Sequence, residues 1–108
     1  MMNINNIAIL GSGESGVGAA LLAKAKGIGV FVSDFGKIKP SFQVELDDNS
    51  IDYEQGTHTE SKILGVDLII KSPGIPDSST LVVKAKEKGI KVISEIEFAG
   101  FFTKAKMI

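Results

Sequence analysis

Gly11-Ser12-Gly13-Glu14-Ser15-Gly16 lies between a short apolar run at residues 7–10 and a segment with helical spacing at residues 17–26. A buried strand, a tight glycine turn and the start of a helix together form an arrangement that binds phosphate. The first glycine permits the turn, the second lets the backbone approach a ligand, and the third lets the helix pack on the strand. Free N–H groups and the positive end of the helix dipole then face the anion.

Predicted strands and helices alternate along the rest of the chain. Apolar or alternating runs predict strands at residues 7–10, 29–33, 51–54, 66–70 and 90–93. Helical spacing, glycine stops and two capping boxes, Thr57 with Glu60 and Ser94 with Glu97, predict the helices between and after them. This alternation predicts an α/β, Rossmann-like, doubly wound fold, with a mostly parallel sheet of about five strands and helices on both faces.

The carboxyl-terminal part of the sequence predicts one more helix, followed by a short segment that resembles a strand. The helix that opens at Ser94 is expected to turn Ile96, Ala99 and Phe102 inward. The preceding helix is expected to start near Asp77 or Ser78 and to stop at Gly89. Residues 104–108 return toward strand character, which suggests that the chain is a piece of something longer.

Composition excludes several functional classes. The chain has 108 residues, 44% hydrophobic and 23% charged, as expected for one ordered domain. A net charge of −1 leaves no electrostatic footprint for nucleic acid. All 12 cations are lysines, so the chain offers no bidentate arginine clamp for phosphate. The lack of cysteine, of a signal peptide and of a membrane-length apolar run favours a cytoplasmic protein with no membrane insertion.

Three loops that follow predicted strands carry the candidate binding residues. They are residues 11–16, 33–36 and 72–74, and the carboxyl ends of parallel strands are where such sheets bind ligands. Asp34 is suited to accept hydrogen bonds from a ribose or a base, or alternatively to cap the turn that follows it. Glu14 either points away and favours the helix terminus or contacts a ligand through its backbone. Ser15 either donates to a phosphate or caps the helix.

The sequence offers no catalytic set and no metal site. His58 is the only histidine, and a place in a loop or at a helix start suits it better than metal binding or general-base catalysis. Glu95 and Glu97 lie two residues apart, so they do not face together on a helix and are expected to serve as cap and solvent residues. A Walker A loop is absent. We therefore expect no ATP hydrolysis by this chain alone.

Taken together, the motifs resemble the N-terminal domain of a Mur ligase, in particular the branch that adds D-glutamate in bacterial peptidoglycan synthesis. The resemblance rests on residues 9–16, 32–34, 71–76 and 93–97 and covers nearly the whole chain. Ser72-Pro73-Gly74-Ile75-Pro76 is its most specific segment. Relatives often have a threonine or a basic residue directly after the strand-two aspartate, whereas here Phe35 and Gly36 precede Lys37.

The resemblance implies a three-domain, ATP- and Mg²⁺-dependent ligase that joins D-glutamate to UDP-N-acetylmuramoyl-L-alanine through an acyl phosphate. Residues 1–103 would form the domain that binds the UDP-linked substrate, and residues 104–108 would begin the connection to an ATP-binding central domain. The resemblance implies ten substrate-binding residues, which meet the diphosphate and uracil or close the pocket: Gly13, Glu14, Ser15, Gly16, Asp34, Phe35, Gly36, Ser72, Pro73 and Gly74. No cofactor is expected in this fragment, and its partners would be the substrate and the two remaining domains.

A second hypothesis is an NAD-binding domain of a dehydrogenase or a regulatory sensor. The glycine motif together with Asp34 at the end of a strand is also typical of NAD sites. NADP is disfavoured because no arginine is available for its 2′-phosphate. An unliganded scaffold or interaction domain is the third possibility.

Overall fold

The computed structural model describes residues 4–76 and 78–106, with side-chain surroundings described as far as Gly100. Five strands and five helices alternate along it. The strands are β1 Asn6–Leu10, β2 Gly29–Asp34, β3 Asp52–Gln55, β4 Leu68–Lys71 and β5 Lys91–Ser94. The helices are α1 Glu14–Ala25, α2 Pro40–Asp48, α3 Glu60–Ile63, α4 Thr80–Glu87 and α5 Glu95–Lys106.

The five strands form one sheet in the order β3-β2-β1-β4-β5, and every pair is parallel. The chain first winds outward from β1 through β2 to β3, and then restarts on the other side of β1 with β4 and β5. This reversal of strand order places a topological switch point between β1 and β4. The predicted Rossmann-like, doubly wound fold is confirmed, with a wholly parallel sheet.

The central strands are apolar throughout because helices cover both faces of the sheet. On one face Ile7 and Ile9 pack in a cluster with α1, α2 and Phe98 of α5. On the other face Ala8 and Leu10 pack with residues of α3 and α4. Alternate side chains of β1 therefore enter two separate halves of the core. The edge strand β3 is only half-buried, as its alternating sequence predicted.

The predicted helix stops are confirmed at two glycines. Gly27 follows α1 with φ of +80°, and Gly89 follows α4 with φ of +82°. A residue without Cβ adopts this left-handed conformation readily and ends the helix. The chain then turns back toward the amino edge of the sheet to begin the next strand.

The inner face of α5 was predicted wrongly. Ile96 is 85% exposed and Ala99 is exposed, whereas Phe98 is 1% exposed and Glu95 is 8% exposed. Because the helix starts at Glu95 directly after β5, residues three apart from that position, Glu95 and Phe98, share the buried side. The side chain of Phe102 lies outside the described surroundings.

The strand character predicted for residues 104–108 is also wrong where the structure describes them. Helix α5 continues to Lys106, since lysine and alanine are good helix formers and no proline interrupts them. Residues 107 and 108 lie outside the described part of the chain.

The helix starts confirm one capping box in part and overturn the other. Ser94 accepts a hydrogen bond from the Glu97 N–H at 3.0 Å, as predicted. The first box is wrong because Thr59, not Thr57, is the N-cap of α3, and no side chain caps that helix. Helix α4 begins at Thr80 with Ser79 as its cap, later than predicted from Asp77 or Ser78, and Asp77 lies outside the described residues.

Candidate functional site

Three loops converge at the carboxyl edge of the sheet, beside the switch point. The Gly11 N–H donates to the Ser33 carbonyl at 2.9 Å, and the Ser72 N–H donates to the Leu10 carbonyl at 2.9 Å. Gly11 has φ of +106°, and a Cβ built on it would lie 2.7 Å from the Ser72 Cβ. The structure therefore brings the three loops predicted from the sequence into contact, and glycine is required where the first meets the third.

The glycine loop leads directly into α1 and leaves the start of that helix open. A Cβ on Gly16 would lie 2.3 Å from the Gly11 carbonyl oxygen, so close packing between turn and helix requires this glycine. A Cβ on Gly13 would meet nothing within 4 Å. Gly13 is the N-cap, and no side chain caps α1, so Ser15 does not serve as its cap. Glu14 and Ser15 are exposed in the first turn.

Asp34 ties the first loop to the second. Its Oδ2 accepts from the Ser12 N–H at 2.8 Å and from the Ser12 hydroxyl, and its Oδ1 accepts from the Gly36 N–H at 2.8 Å. Burial works to raise the pKa of Asp34, but the hydrogen bonds from Ser12 and Gly36 outweigh it and hold the pKa below its ordinary value. The turn-capping alternative is thus realised at Oδ1. Ser12, which is 4% exposed, was not predicted as a site residue.

Phe35 and Gly36 lie on the outer side of the same loop. The Phe35 side chain is 72% exposed, and its ring centroid is 5.7 Å from that of His58, at an interplanar angle of 43°. The Gly36 carbonyl accepts from the Gly56 N–H at 2.9 Å, which fastens the loop to the chain after β3. An exposed aromatic ring is therefore held on an anchored loop at the carboxyl edge of the sheet.

A buried polar network underlies this ring. The Ser33 side chain is fully buried, and its Oγ lies 2.8 Å from the Glu54 Oε2 and 2.7 Å from the His58 Nδ1. The Glu54 carboxylate also accepts from the N–H of Thr59 at 2.7 Å and from its hydroxyl at 2.5 Å. Sequence reasoning placed Ser33 in a candidate loop but missed Glu54 and the contact between them, because only the pairing of β2 with β3 makes the two residues neighbours.

The surroundings lower the pKa values of two titratable groups of this network, His58 and Glu54. Burial lowers the pKa of His58, against the attraction of the Glu54 and Asp34 carboxylates, and so favours a neutral ring. For Glu54, burial is outweighed by hydrogen bonds from Thr59 and Ser33, and its pKa is lowered. His58 lies in the loop before α3, as expected, and contacts Ser33 and the Phe35 ring.

Removal of the Glu54 carboxylate is expected to destabilise the domain by about 2 kcal/mol, because it leaves the N–H and the hydroxyl of Thr59 without their acceptor and removes one of the hydrogen-bond partners of Ser33. Urea denaturation of Glu54→Ala at neutral pH measures this loss. Glu60→Ala is the matched control, because Glu60 forms only an exposed ion pair with Lys84 at 3.1 Å. We expect Glu60→Ala to change the free energy of unfolding by less than about 1 kcal/mol. Equal losses in both variants would show that the network does not stabilise the domain.

The third loop completes the edge. Ser72 is half-buried against Gly11, and its Oγ accepts from the Gly74 N–H at 3.4 Å. Pro73 and Gly74 are exposed. Lys71, at the end of β4, donates from Nζ to the Ile75 carbonyl at 2.8 Å, which holds the following turn. All ten predicted site residues therefore lie along one edge of the sheet.

Glu95, which was predicted to be a cap or solvent residue, is instead buried beside the glycine loop. It is 8% exposed, and its Oε2 lies 3.2 Å from the position that a Cβ on Gly16 would occupy. Burial raises the pKa of the Glu95 carboxyl. Its place directly after β5 was the available signal, since the glycine loop occupies the same edge of the sheet.

Other kinds of site are not formed in the part of the chain described. Its histidine, aspartate and glutamate side chains nowhere assemble in a group of three that could hold a metal ion. None of the described helices combines the length and the apolar character needed to cross a membrane. The carboxyl edge of the sheet instead presents the uncapped start of α1 and the exposed hydroxyl of Ser15.

The fold and this edge define a Rossmann-like parallel α/β domain, and solved structures share the fold. UDP-N-acetylmuramate-alanine ligase MurC from Thermotoga maritima superposes with a TM-score of 0.78 at 17% identity, over 95% of this chain and 23% of that one. The murein peptide ligase from Psychrobacter arcticus gives 0.78 at 24% identity, over 87% and 20%. The nucleotide-binding domain of glutamyl-tRNA reductase from Thermoplasma volcanium gives 0.55 at 17% identity, over 97% and 85%.

Sequence comparison identifies the family. The family model of the Mur ligase MurD-like N-terminal domain matches residues 5–94, and the chain belongs to this family. It is 57% identical over 103 residues to the UDP-N-acetylmuramoylalanine–D-glutamate ligase of Porphyromonas gingivalis W83, which covers 95% of this chain and 23% of the relative. The ligase of the same name from Bacteroides thetaiotaomicron is 55% identical over 105 residues, covering 97% and 24%. The chain thus spans about a quarter of these relatives, and the predicted resemblance is confirmed.

Proposed function

We propose that this domain binds the UDP end of UDP-N-acetylmuramoyl-L-alanine for a cytoplasmic ligase that adds D-glutamate with ATP and Mg²⁺. The observation that carries the proposal is the convergence of three loops at the switch point of a MurD-like domain, next to a helix terminus without a side-chain cap. Such a terminus offers N–H groups and a partial positive charge to phosphate. This matters in a chain that lacks arginine.

The glycine loop is proposed to hold the diphosphate through its backbone. The space beside Gly13 is open, so a phosphate oxygen can approach the backbone there. The exposed Ser15 hydroxyl is available as a further donor, while Glu14 contributes its backbone and keeps its charge in solvent. Gly16 supplies an N–H in the first turn of α1.

The second and third loops are proposed to bind the uracil and to close the pocket. A carboxylate has about four acceptor positions, and Asp34 uses three on Ser12 and Gly36, so one position at Oδ1 is left for a base N–H. Phe35 offers its exposed ring for stacking on the base, beside the Gly36 backbone. Ser72, Pro73 and Gly74 border the opposite side of the crevice.

The rest of the enzyme is proposed to supply the chemistry. More than three-quarters of the Porphyromonas relative lies outside the matched region, which leaves room for the ATP- and Mg²⁺-binding parts and for the second substrate. We propose that residues 1–103 form the substrate-binding domain and that residues 104–108 lead to the central domain, with α5 running across this boundary. The chain by itself is proposed to turn over no ATP.

NAD binding is the second candidate, because a glycine turn and a strand-end carboxylate such as Asp34 also suit a dinucleotide. Membership in the MurD-like family favours the UDP-linked substrate instead. Calorimetric titration of the chain with UDP and, separately, with NAD distinguishes the two. We expect heat of binding with UDP only, whereas binding of NAD with no response to UDP would overturn the proposal.

Replacement of Phe35 by alanine is expected to weaken UDP binding about tenfold, because base–aromatic stacking contributes about 1–3 kcal/mol. Calorimetry with UDP measures the change. Val44→Ala is the matched control, since Val44 is also an exposed apolar side chain but lies on α2. An unchanged affinity for Phe35→Ala would remove the ring from the site, and an equal loss in both variants would point to a general effect on the fold.

A further inference from the structure

A second concave surface lies beside the proposed substrate site, between the first turns of α1 and the start of α5. This cleft has a volume of about 260 Å³. Its α1 wall consists of small or apolar residues, and its α5 wall begins with the residues that follow β5. The α1 wall includes Ser15, Gly18, Ala19 and Leu22, and the α5 wall includes Glu95 and Ile96.

The cleft combines an exposed apolar side chain with a buried acceptor. Ile96 is 85% exposed, whereas its neighbour Glu95 is 8% exposed. Among the described residues the Glu95 carboxylate has no hydrogen-bond or ion-pair partner, and only burial acts on its pKa, which it raises. The Glu95 oxygens keep limited contact with water, because no fully buried side-chain oxygen of the described residues lacks a hydrogen-bond partner. A donor or cation in the cleft would offset the remaining cost of burying this charge. The cleft therefore lacks both an apolar cover for Ile96 and a donor for Glu95.

We propose that this cleft receives a segment of the remaining ligase polypeptide, which places an apolar side chain on Ile96 and a lysine, arginine or backbone N–H on Glu95. The proposal rests on the proposed function in one respect, that the domain works within a longer ligase. The relatives contain the required further chain, since the match covers only 23% of the Porphyromonas protein. Ser15 belongs to both surfaces, so the docked segment would lie next to the diphosphate.

Cysteine labelling tests this contact directly, because the chain has no cysteine of its own. Ile96→Cys and the control Val83→Cys, at a 41% exposed position on α4, are each introduced into the 108-residue chain and into the longer ligase polypeptide. The rate of maleimide labelling at each position is followed by peptide mass spectrometry. We expect at least a tenfold slower reaction at position 96 in the longer polypeptide and an unchanged rate at position 83. Rates within twofold at position 96 would overturn the proposal.

The role of the carboxylate is tested in the same assay. Glu95→Gln, added to Ile96→Cys in the longer polypeptide, is expected to restore labelling about threefold or more, while Glu87→Gln on α4 leaves the rate unchanged. No restoration would overturn the pairing with Glu95. Protection that rises with concentration in the 108-residue chain alone would assign the cleft to a second copy and overturn the proposal.

The outcome is independent of substrate binding, which calorimetry with UDP measures on the unlabelled protein. Protection of position 96 without UDP binding contradicts the proposed function and supports docking in the cleft. UDP binding without protection contradicts the docking proposal alone.

Discussion

Replacement of Gly16 by alanine is expected to destabilise the domain by about 3 kcal/mol, at the upper end of the cost of overpacking. The new Cβ would lie 2.3 Å from the Gly11 carbonyl oxygen and 3.2 Å from the Glu95 Oε2. The carbonyl cannot withdraw easily, because the Gly11 N–H is hydrogen-bonded to Ser33 and the adjoining Cα lies against Ser72. Urea denaturation followed by circular dichroism measures the change in the free energy of unfolding.

Gly18→Ala is the matched control in the same helix. A Cβ at Gly18 would meet nothing within 4 Å, and alanine loses less conformational entropy than glycine on forming a helix. We therefore expect a gain of about 0.5–1 kcal/mol. A Gly16→Ala variant that loses less than about 1 kcal/mol would show that the turn and α1 can separate without cost.

Replacement of Asp34 by alanine is expected to destabilise the domain by about 2–3 kcal/mol, since hydrogen bonds to a charged acceptor are the stronger ones. The change leaves the N–H and the hydroxyl of the buried Ser12 without their acceptor and frees the Gly36 N–H. Asp34→Asn retains one acceptor oxygen and is expected to lose about half as much. Urea denaturation at neutral pH measures the stability of both variants. Equal stability of Asp34→Ala and wild type would show that these hydrogen bonds do not stabilise the domain.

The contribution of Asp34 also sets a pH dependence. Its pKa in the folded protein is lowered by the hydrogen bonds from Ser12 and Gly36, against the opposing effect of burial. The stabilisation is therefore complete above about pH 5 and is lost as the pH falls through the folded-state pKa. The difference in stability between wild type and Asp34→Asn should narrow from neutral to acid pH. A difference that widens toward acid would contradict this assignment.

Much of the architecture was predictable because the parallel sheet imposes strong local signals. Buried strands such as residues 7–10 are continuous apolar runs, and Gly27 and Gly89 end helices where a left-handed residue is needed. The alternation of strands and helices then implies a doubly wound sheet. Because parallel strands all end at the same edge of the sheet, the loops after β1, β2 and β4 lie together. The position of the ten candidate residues at one edge could therefore be predicted from the sequence alone.

The polar connections at that edge were not predictable in the same way. Ser12 reaches Asp34, and Ser33 reaches Glu54, only because the register pairs Leu10 with Ser33 and Ser33 with Glu54. Serine and glutamate in loops or edge strands give no local signal of such pairing. The capping box predicted for Thr57 with Glu60 fails for a different reason, since α3 starts after Thr59, whose hydroxyl donates to the nearby Glu54 carboxylate.

The face of α5 could not be read from periodicity. Apolar residues surround this helix on several sides, at positions 96, 98, 99, 101 and 102, so more than one face fits helical spacing. The choice depends on the angle at which the helix leaves β5, and it buries Phe98 with Glu95. This error concealed the most exposed apolar side chain of α5 that the structure describes, Ile96.

The strand order also determines the order in which the sheet can be completed during synthesis. The first strand made, β1, is the central one, and its second edge waits for β4, with Ile7 opposite Leu68 and Leu10 opposite Lys71. Until then β1 can pair only with β2, and an apolar edge remains open to other chains. Pairing of such distant segments is intrinsically slow. On the ribosome, the edge of β1 is therefore covered only when β4 emerges, and the outer edge of β4 in turn waits for β5.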